Sequence, residues 1–194
     1  MKLEIKGKIP EPPFFLVCNH LSYTDIPVLR AAANGVFVAK SDVRKWFLLG
    51  KIVADAGTVF INRQNKRDIP RAGNEIVERI SNGEGVFLFP EGTSSCGKSV
   101  LPFNSSFLEF AARADLPVSY CSVSYQTEIG EITASKAVCW FDETVFMTHL
   151  FRFFILKKIY ATITFGDAPV KDTNRKKLAS ALHEKVENLF TPLV

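Results

Sequence analysis

The stretch FFLVCNHLSYTD, residues 14–25, joins an apolar segment of strand length to a turn that carries a histidine and an aspartate. The apolar part predicts a buried strand, while Thr24, Asp25 and Pro27 are residue types that favour a helix start. Residues five apart on one straight helix lie roughly 140° apart around its axis. His20 and Asp25 therefore meet only if His20 lies in the turn and Asp25 in the first helical turn. Such a pair offers a general base and the group that orients it.

Chance is the alternative explanation for this pair. The chain has three histidines and 20 acidic residues, so one His–Asp pair at this spacing is weak support for a site. The rest of the chain has to decide between the two explanations.

Beyond this stretch, apolar runs of strand length alternate with helical patterns, which predicts an α/β domain. Strands are expected at residues 14–18, 36–39, 59–62, 86–89, 118–124, 134–141 and 159–165. Helices are expected at residues 42–49, 67–80, from 106 onward, and 171–190. Continuous apolar strands followed by helices favour a sheet covered on both faces. With 194 residues and no linker, the chain is predicted to be a single domain, residues 1–194.

Composition narrows the class of protein. No apolar stretch is long enough to span a bilayer, and the N-terminus lacks the apolar region of a signal peptide. The four cysteines are scattered without C-x-x-C pairs, and three of them lie in apolar runs. Buried reduced thiols in the cytosol are therefore expected, rather than disulfides or a metal site.

Residues 145–158 form an apolar and aromatic segment that also carries Arg152, Lys157 and Lys158 but no acid. Two interpretations are open. The segment is either a core helix or an interfacial helix, with aromatic rings in the lipid boundary and cations facing anionic head groups. His149 is expected to be structural, and His183, beside Glu184 and Lys185, a solvated helix residue.

Polar or glycine residues suited to binding follow three further predicted strands. They are Lys40 after the strand near residue 36, Asn62 and Arg63 after the strand near 59, and Glu91, Gly92 and Thr93 after the strand near 86. In open α/β sheets, ligands bind beyond the carboxyl ends of the strands, so these residues are expected to converge on His20. The Arg63 guanidinium can hold a phosphate or carboxylate through two hydrogen bonds.

The ordered blocks NHLSYTD, GTVFINR, FPEGT and LPVSYCSV resemble the four sequence blocks of the glycerolipid (lysophospholipid) acyltransferase family, over residues 12–165. The first and third blocks are diagnostic in combination, whereas the fourth is only an apolar strand. This resemblance implies a mixed, mostly parallel sheet flanked by helices. It also implies an enzyme that transfers a fatty acyl group from acyl-CoA or acyl-carrier protein to the free hydroxyl of a lysolipid such as lysophosphatidic acid.

The resemblance also implies roles for individual residues. His20 is expected to act as the general base and Asp25 to hold its ring, by direct attack on the thioester. Consistent with direct attack, the chain has no G-x-S-x-G motif. Candidate substrate-binding residues are Arg63, at the acceptor's polar head, together with Lys40, Asn62, Glu91, Gly92 and Thr93.

Partners and location follow from the same resemblance. No cofactor or metal is expected beside the acyl donor, and no nucleic acid partner. The expected partners are the lysolipid and a membrane surface. Family members often carry hydrophobic helices before the histidine block, and this chain begins too late to hold them. The enzyme is therefore expected at the cytoplasmic face of a membrane, either as a peripheral protein that docks through the helix near Phe151 or with its anchor missing from this chain.

One position departs from the family pattern. The third block commonly continues with an arginine that is thought to help hold the glycerol phosphate, and this chain has Ser94 there. Without that guanidinium, the case for a phosphate-bearing acceptor is weaker. The EGTSS form resembles a bacterial branch that includes lyso-ornithine lipid acyltransferases, whose acceptor has no phosphate.

A second class of protein competes for the same loop. Residues 92–99 satisfy the nucleotide-binding pattern G-x-x-x-x-G-K-[ST] after a predicted strand. A phosphate-binding loop has to run into a helix near Lys98, and Pro102 opposes such a helix. A P-loop nucleotide-binding protein is therefore the alternative prediction.

Overall fold

The computed structural model describes residues 1–45, 49–55, 57–62, 65 and 67–193. The strands in this part of the chain are β1 (Lys2–Lys6), β2 (Phe14–Cys18), β3 (Val36–Lys40), β4 (Val59–Ile61), β5 (Gly85–Leu88), β6 (Val118–Thr127) and β7 (Ile159–Phe165). The α-helices are α1 (Asp25–Ala32), α2 (Leu49–Asp55), α3 (Asp68–Ser81), α4 (Glu109–Arg113), α5 (Ala134–Ala137), α6 (Phe146–Ile155) and α7 (Arg175–Leu189). Two 3₁₀ helices span Ser41–Lys45 and Ser105–Leu108.

All seven of these strands belong to one sheet, in the order β1-β7-β6-β2-β5-β3-β4. The run from β6 to β4 is parallel throughout. β7 pairs antiparallel with β6, and β1 pairs parallel with β7. The predicted fold class, a mixed and mostly parallel sheet with helices, is confirmed.

Burial along each strand reflects its place in the sheet. β2 and β5 lie at the centre, and every residue of both is buried, as continuous apolar runs predict. β7 alternates buried and half-buried residues, the pattern of a strand covered mainly on one face. β1 is exposed along its whole length, and its charged sequence KLEIK suits an edge strand. The sequence patterns did not reveal β1, because they favoured apolar runs.

Several helix starts differ from the predictions. Thr24 does not cap α1 with its side chain; its hydroxyl lies 3.4 Å from the Tyr125 hydroxyl instead. Asn104 caps the 3₁₀ helix before α4 by accepting from the Ser106 N–H, so the start predicted at residue 106 lies one residue late. Asn174 similarly caps α7. The predicted helix at 42–49 is a 3₁₀ helix over Ser41–Lys45, and residues 46–48 lie outside the described part.

The strand predicted at residues 134–141 is wrong. The chain forms the single turn α5 and then a loop. Ala134, Ala137, Val138 and Cys139 are all buried, which explains the apolar run. Apolar periodicity alone cannot separate a short buried strand from a buried helical turn. Among the described helices, none combines the length and the apolar composition needed to cross a bilayer.

Candidate active site

His20 and Asp25 meet as their spacing predicts. His20 lies in the turn after β2, and Asp25 is the first residue of α1. His20 Nδ1 lies 2.8 Å from Asp25 Oδ2. The His20 side chain is 22% exposed and the Asp25 side chain is fully buried. The two side chains thus form a contact between a buried carboxylate and a ring that reaches solvent.

The Asp25 carboxylate accepts every hydrogen bond it makes here. Oδ2 accepts from the N–H groups of Leu21 and Ser22, at 2.7 and 3.0 Å, as well as from His20 Nδ1. Oδ1 accepts from the Tyr125 hydroxyl at 2.8 Å. Burial raises the pKa of Tyr125 well above its usual value, so the phenol keeps the proton that it donates. Because a carboxylate can only accept, Nδ1 carries the ring proton and Nε2 keeps its lone pair.

The turn itself, residues 19–25, is held by neighbouring segments of the chain; we call it the His–Asp turn. The Asn19 side chain exchanges two hydrogen bonds with the backbone of Val123 on β6, at 2.8 and 3.0 Å. The His20 carbonyl accepts from the Ser95 N–H at 2.9 Å, and the Leu21 carbonyl accepts from the Trp140 N–H at 2.9 Å. These bonds fix the backbone that carries the histidine, since buried backbone groups need partners.

A groove of about 350 Å³ opens beside His20. Its wall is mainly apolar and includes Phe37, Val38, Phe89 and Trp140. The His20 ring stacks on Phe89, with centroids 4.2 Å apart and planes 17° apart. Stacking fixes the ring plane on one side while Asp25 fixes its rotation on the other. The groove therefore combines an oriented imidazole with an apolar channel, which suits a ligand with a long hydrocarbon part.

Three of the predicted binding residues reach this groove: Lys40, Gly92 and Thr93. Lys40, the last residue of β3, lies with Nζ 2.6 Å from Asp42 Oδ2. Gly92 has a φ of +79°, a conformation that residues with a side chain rarely adopt, so glycine is strongly favoured at that turn. The groove is where the ends of β2, β3 and β5 come together, as the sheet rule predicts.

Three other predicted residues do not join this set. Asn62 follows β4, its N–H donates to Asp68 Oδ2 at 2.6 Å, and it is not among the described residues that line the groove. Arg63 lies outside the described residues, so its role stays a prediction. Glu91 does not line the groove either. Its carboxylate accepts from the His20 N–H at 2.7 Å and from the Leu101 N–H at 3.1 Å.

Glu91 thus holds the backbone of the His–Asp turn through the His20 N–H. This contact differs from the contact with substrate that the sequence predicts. Burial raises the pKa of Glu91 to about 8, although the two N–H groups favour the ionised form. Ser94, at the position of the missing arginine, lines the groove, and its hydroxyl donates to the Trp140 carbonyl.

Several polar or aromatic residues of the groove and the turn were not predicted as site residues. Tyr23, Arg30 and Trp140 line the groove, and Tyr125 holds Asp25. The Arg30 guanidinium donates to the Gly35 carbonyl. Tyr23 lies inside the quoted NHLSYTD block, so its position near the site follows from the sequence, but the direction of its side chain does not. The others lie outside that block, and no local spacing rule links them to it.

The nucleotide-binding alternative is wrong. No helix begins near Lys98; the chain instead runs without regular structure through residues 98–104, all of which are described, to the 3₁₀ helix at Ser105. Without a helix N-terminus after Lys98, the loop lacks the set of free, aligned amides that binds a phosphate in such proteins. Gly97, which has a φ of +78°, packs against Leu193 near the C-terminus.

The two other histidines have structural contacts. His149 is buried on α6, with Nε2 2.9 Å from the Cys139 carbonyl and Nδ1 3.1 Å from the Tyr23 hydroxyl. Its structural role is as predicted. His183 is half-buried and its Nε2 donates to the Val100 carbonyl at 3.1 Å, so its interpretation as a solvated residue is wrong.

The sequence matches the family model described as Acyltransferase over residues 1–124, well over half of the chain and including the His–Asp turn. This chain belongs to the acyltransferase family. The resemblance of the four blocks is thereby confirmed.

Two relatives of this acyltransferase, each matched over nearly all of this chain, carry different names. It is 31% identical to 1-acyl-sn-glycerol-3-phosphate acyltransferase from Neisseria gonorrhoeae, over 99% of this chain and 74% of that protein. It is 29% identical to lyso-ornithine lipid O-acyltransferase from Rhizobium meliloti, over 98% of this chain and 70% of that protein. Since the two identities are nearly equal, overall similarity does not separate the two acceptors.

The fold of the acyltransferase is also that of a solved relative. It matches the crystal structure of the 1-acyl-sn-glycerophosphate (LPA) acyltransferase PlsC from Thermotoga maritima with a TM-score of 0.65. The match covers 97% of this chain and 72% of that one, at 23% identity. This similarity supports the fold alone.

Glu91 gives the acyltransferase a testable dependence of stability on pH. Its pKa is about 8 in the folded protein against an ordinary value of 4.5, so the folded state holds the proton more tightly. The free energy of unfolding should therefore fall as the pH rises from 4.5, the ordinary pKa, to about 8, the pKa in the folded protein. At about 1.4 kcal/mol per pKa unit, the fall amounts to a few kcal/mol. In Glu91→Gln this fall should largely disappear. Urea unfolding at both ends of the window measures it.

Glu184→Gln is the matched control, because Glu184 is an exposed carboxyl on α7. It should keep the wild-type slope. An unchanged slope in Glu91→Gln would show that another group is responsible.

Proposed function

We propose that the chain transfers a fatty acyl group from acyl-CoA or acyl-carrier protein to the free hydroxyl of a lysolipid, as a step of membrane lipid biosynthesis. The observation that carries this proposal is the His20–Asp25 pair, whose histidine lines an apolar groove. A general base alone fits many reactions. The apolar groove and the names of the relatives narrow the choice to lipid acylation.

In the proposed reaction, His20 Nε2 takes the proton of the acceptor hydroxyl while its oxygen attacks the thioester carbonyl carbon. Asp25 keeps the proton on Nδ1 and stabilises the positive charge that the ring gains. The carbon–sulfur bond then breaks. The leaving thiolate takes the proton from Nε2, and an ester and a free thiol remain.

Direct transfer is favoured over an acyl-enzyme by the state of the cysteines. Cys18, Cys121 and Cys139 are buried, and the partly exposed Cys96 does not line the groove. Burial raises the pKa of the Cys18 and Cys139 thiols, so both stay protonated and unreactive. The imidazole is therefore proposed to activate the acceptor itself, with no covalent intermediate on a side chain.

The groove is proposed to hold the acyl chain of the donor. Phe37, Val38 and Phe89 present aliphatic and aromatic surface along it. Burying hydrocarbon against such a wall contributes about 0.8 kcal/mol per methylene group. With the acyl chain in the groove, the thioester is proposed to lie next to His20, and Gly92 and Thr93 line the same groove.

Two acceptors are candidates. Lysophosphatidic acid is suggested by the Neisseria gonorrhoeae relative, and Arg63 and Lys40 would be its phosphate partners. A phosphate-free acceptor such as lyso-ornithine lipid is favoured by Ser94, because its hydroxyl is bonded to the Trp140 carbonyl and it carries no charge. Both acceptors are membrane lipids and both donors are cytoplasmic, so we place the reaction at the cytoplasmic surface of a membrane.

A thiol-release assay with each donor and a panel of lysolipids tests the proposal. We expect release of CoA or carrier-protein thiol that depends on lysolipid, with matching formation of the diacyl product. Lysophosphatidic acid and lyso-ornithine lipid should give different rates, which would identify the acceptor. If no lysolipid raises thiol release above the rate of donor hydrolysis, the proposed function fails.

A further inference from the structure

Exposed apolar side chains are concentrated in one part of the molecule. Of the eleven large hydrophobic residues exposed within the described ranges, three lie on or next to β1, and the other eight lie between residues 129 and 155. We call these eight the apolar patch: Ile129, Ile132, Phe141, Val145, Met147, Phe151, Phe154 and Ile155. Such a concentration marks a surface that contacts something other than water.

Helix α6 supplies half of the apolar patch, and its two faces are unusual. Its inner face packs on the protein through Phe146, His149 and Phe153. Its outer face carries Phe151, 69% exposed, and Phe154, 72% exposed. A helix on the surface of a water-soluble protein normally has a polar outer face. The core-helix interpretation of residues 145–158 is therefore wrong, since the apolar outer face of α6 is uncovered.

The loop between β6 and α5 extends the apolar patch beside the end of α6. Two ion pairs join the loop to the residues after the helix: Lys158 Nζ lies 3.0 Å from Glu128 Oε1, and Lys157 Nζ lies 3.6 Å from Glu131 Oε1. Ile129 and Ile132 lie among these acids. The ion pairs also neutralise the two lysines that the sequence pattern offered to anionic head groups.

The apolar patch is connected to the rim of the groove. Tyr23 of the His–Asp turn donates to His149 Nδ1, and its ring packs edge-on against Phe146 and Trp140. Tyr23 and Trp140 also line the groove. Helix α6 thus packs against two residues of the groove wall, Tyr23 and Trp140, while its outer face is exposed.

We propose that the apolar patch docks on the lipid bilayer that holds the acceptor and so brings the groove next to the membrane interface. This inference rests on the proposed function, because a lysolipid acceptor has to enter the groove from a bilayer. Phe151, Phe154 and Met147 enter the acyl boundary, and Arg152 stays at the head groups. Because Lys157 and Lys158 are paired, docking depends on apolar insertion more than on anionic lipid.

Vesicle flotation of three purified proteins tests the docking. They are the wild type, the double variant Phe151→Ser/Phe154→Ser, and the matched control Leu3→Ser/Ile5→Ser, which removes exposed apolar side chains from β1. On phosphatidylcholine vesicles, the double variant should lose at least about tenfold in partitioning, since two large apolar side chains no longer insert. The control should bind like the wild type. Adding an anionic lipid should change wild-type partitioning only slightly.

Kinetics give a second readout. For lysolipid presented in vesicles, the KM of the double variant should rise. For a short-chain lysolipid below its micelle concentration, its kcat/KM should stay at the wild-type value. If the double variant melts well below the wild type, Phe154→Ser alone replaces it, because that ring is the most exposed on α6.

Unchanged vesicle binding by the double variant would overturn the docking proposal. So would wild-type binding that requires anionic lipid, or a wild-type dimer in solution that the double variant abolishes, which would make a second copy the occupant of the patch. Failure of acyl transfer with every lysolipid would remove the proposed function instead, and flotation would still report on the patch.

Discussion

Replacement of His20 with alanine should lower kcat for acyl transfer by about 10²- to 10⁴-fold, the usual contribution of a positioned general base. The variant loses the Nε2 lone pair of a residue that lines the groove. It should keep the fold, because the backbone N–H and carbonyl of residue 20 remain bonded to Glu91 and Ser95. The ring is also 22% exposed, so its removal opens space at the surface and not a closed cavity. Thiol release and urea unfolding measure the two effects.

His183→Ala is the matched control for this experiment. Its ring is also half-buried and also makes a hydrogen bond, to the Val100 carbonyl, but it lies on α7 and does not line the groove. This variant should keep the wild-type kcat. A His20→Ala enzyme that retains a rate within about tenfold of wild type would remove His20 as the base.

The His–Asp turn could be predicted from the sequence because its information is local. A buried strand, a turn and a helix start follow one another within residues 14–25, and the five-residue spacing allows only one way for His20 and Asp25 to meet. Parallel strands then bring Lys40 and Gly92 to the same edge of the sheet, which a general rule about α/β sheets predicts. Both inferences need only order and spacing along the chain.

Other parts of the site depend on distant segments. Tyr125 reaches Asp25 from 100 residues away along the chain, and Trp140 reaches the Leu21 carbonyl from 119 residues away. No pattern within either segment indicates these partners. The residue type of Glu91 indicated a role in the site, but the sequence did not show in which direction its side chain points. A carboxyl in that loop can face the groove or the backbone of His20, and the hydrogen bonds from the His20 and Leu101 N–H groups hold it in the second direction.

Replacement of Asp25 with asparagine should lower kcat by about 10²- to 10⁴-fold with little loss of stability. The asparagine oxygen can take the place of Oδ2 and accept from the Leu21 and Ser22 N–H groups and from His20 Nδ1. Its amide nitrogen then takes the place of Oδ1 and donates to the Tyr125 oxygen. Tyr125 can turn its own proton toward Thr24 Oγ1, 3.4 Å away. The geometry survives, and the negative charge that stabilises the protonated ring is lost.

Asp25→Ala removes both the negative charge and the hydrogen-bond acceptor, so comparing it with Asp25→Asn separates the two roles of the carboxylate. It should lose the same activity and, in addition, unfold at lower urea, because the Leu21 and Ser22 N–H groups are left buried without partners, at about 1–3 kcal/mol each. Comparing kcat and unfolding free energy for the two variants tests this division. A fully active Asp25→Asn enzyme would show that the carboxylate only shapes the turn. An Asp25→Ala enzyme as stable as wild type would show that the turn does not depend on those bonds.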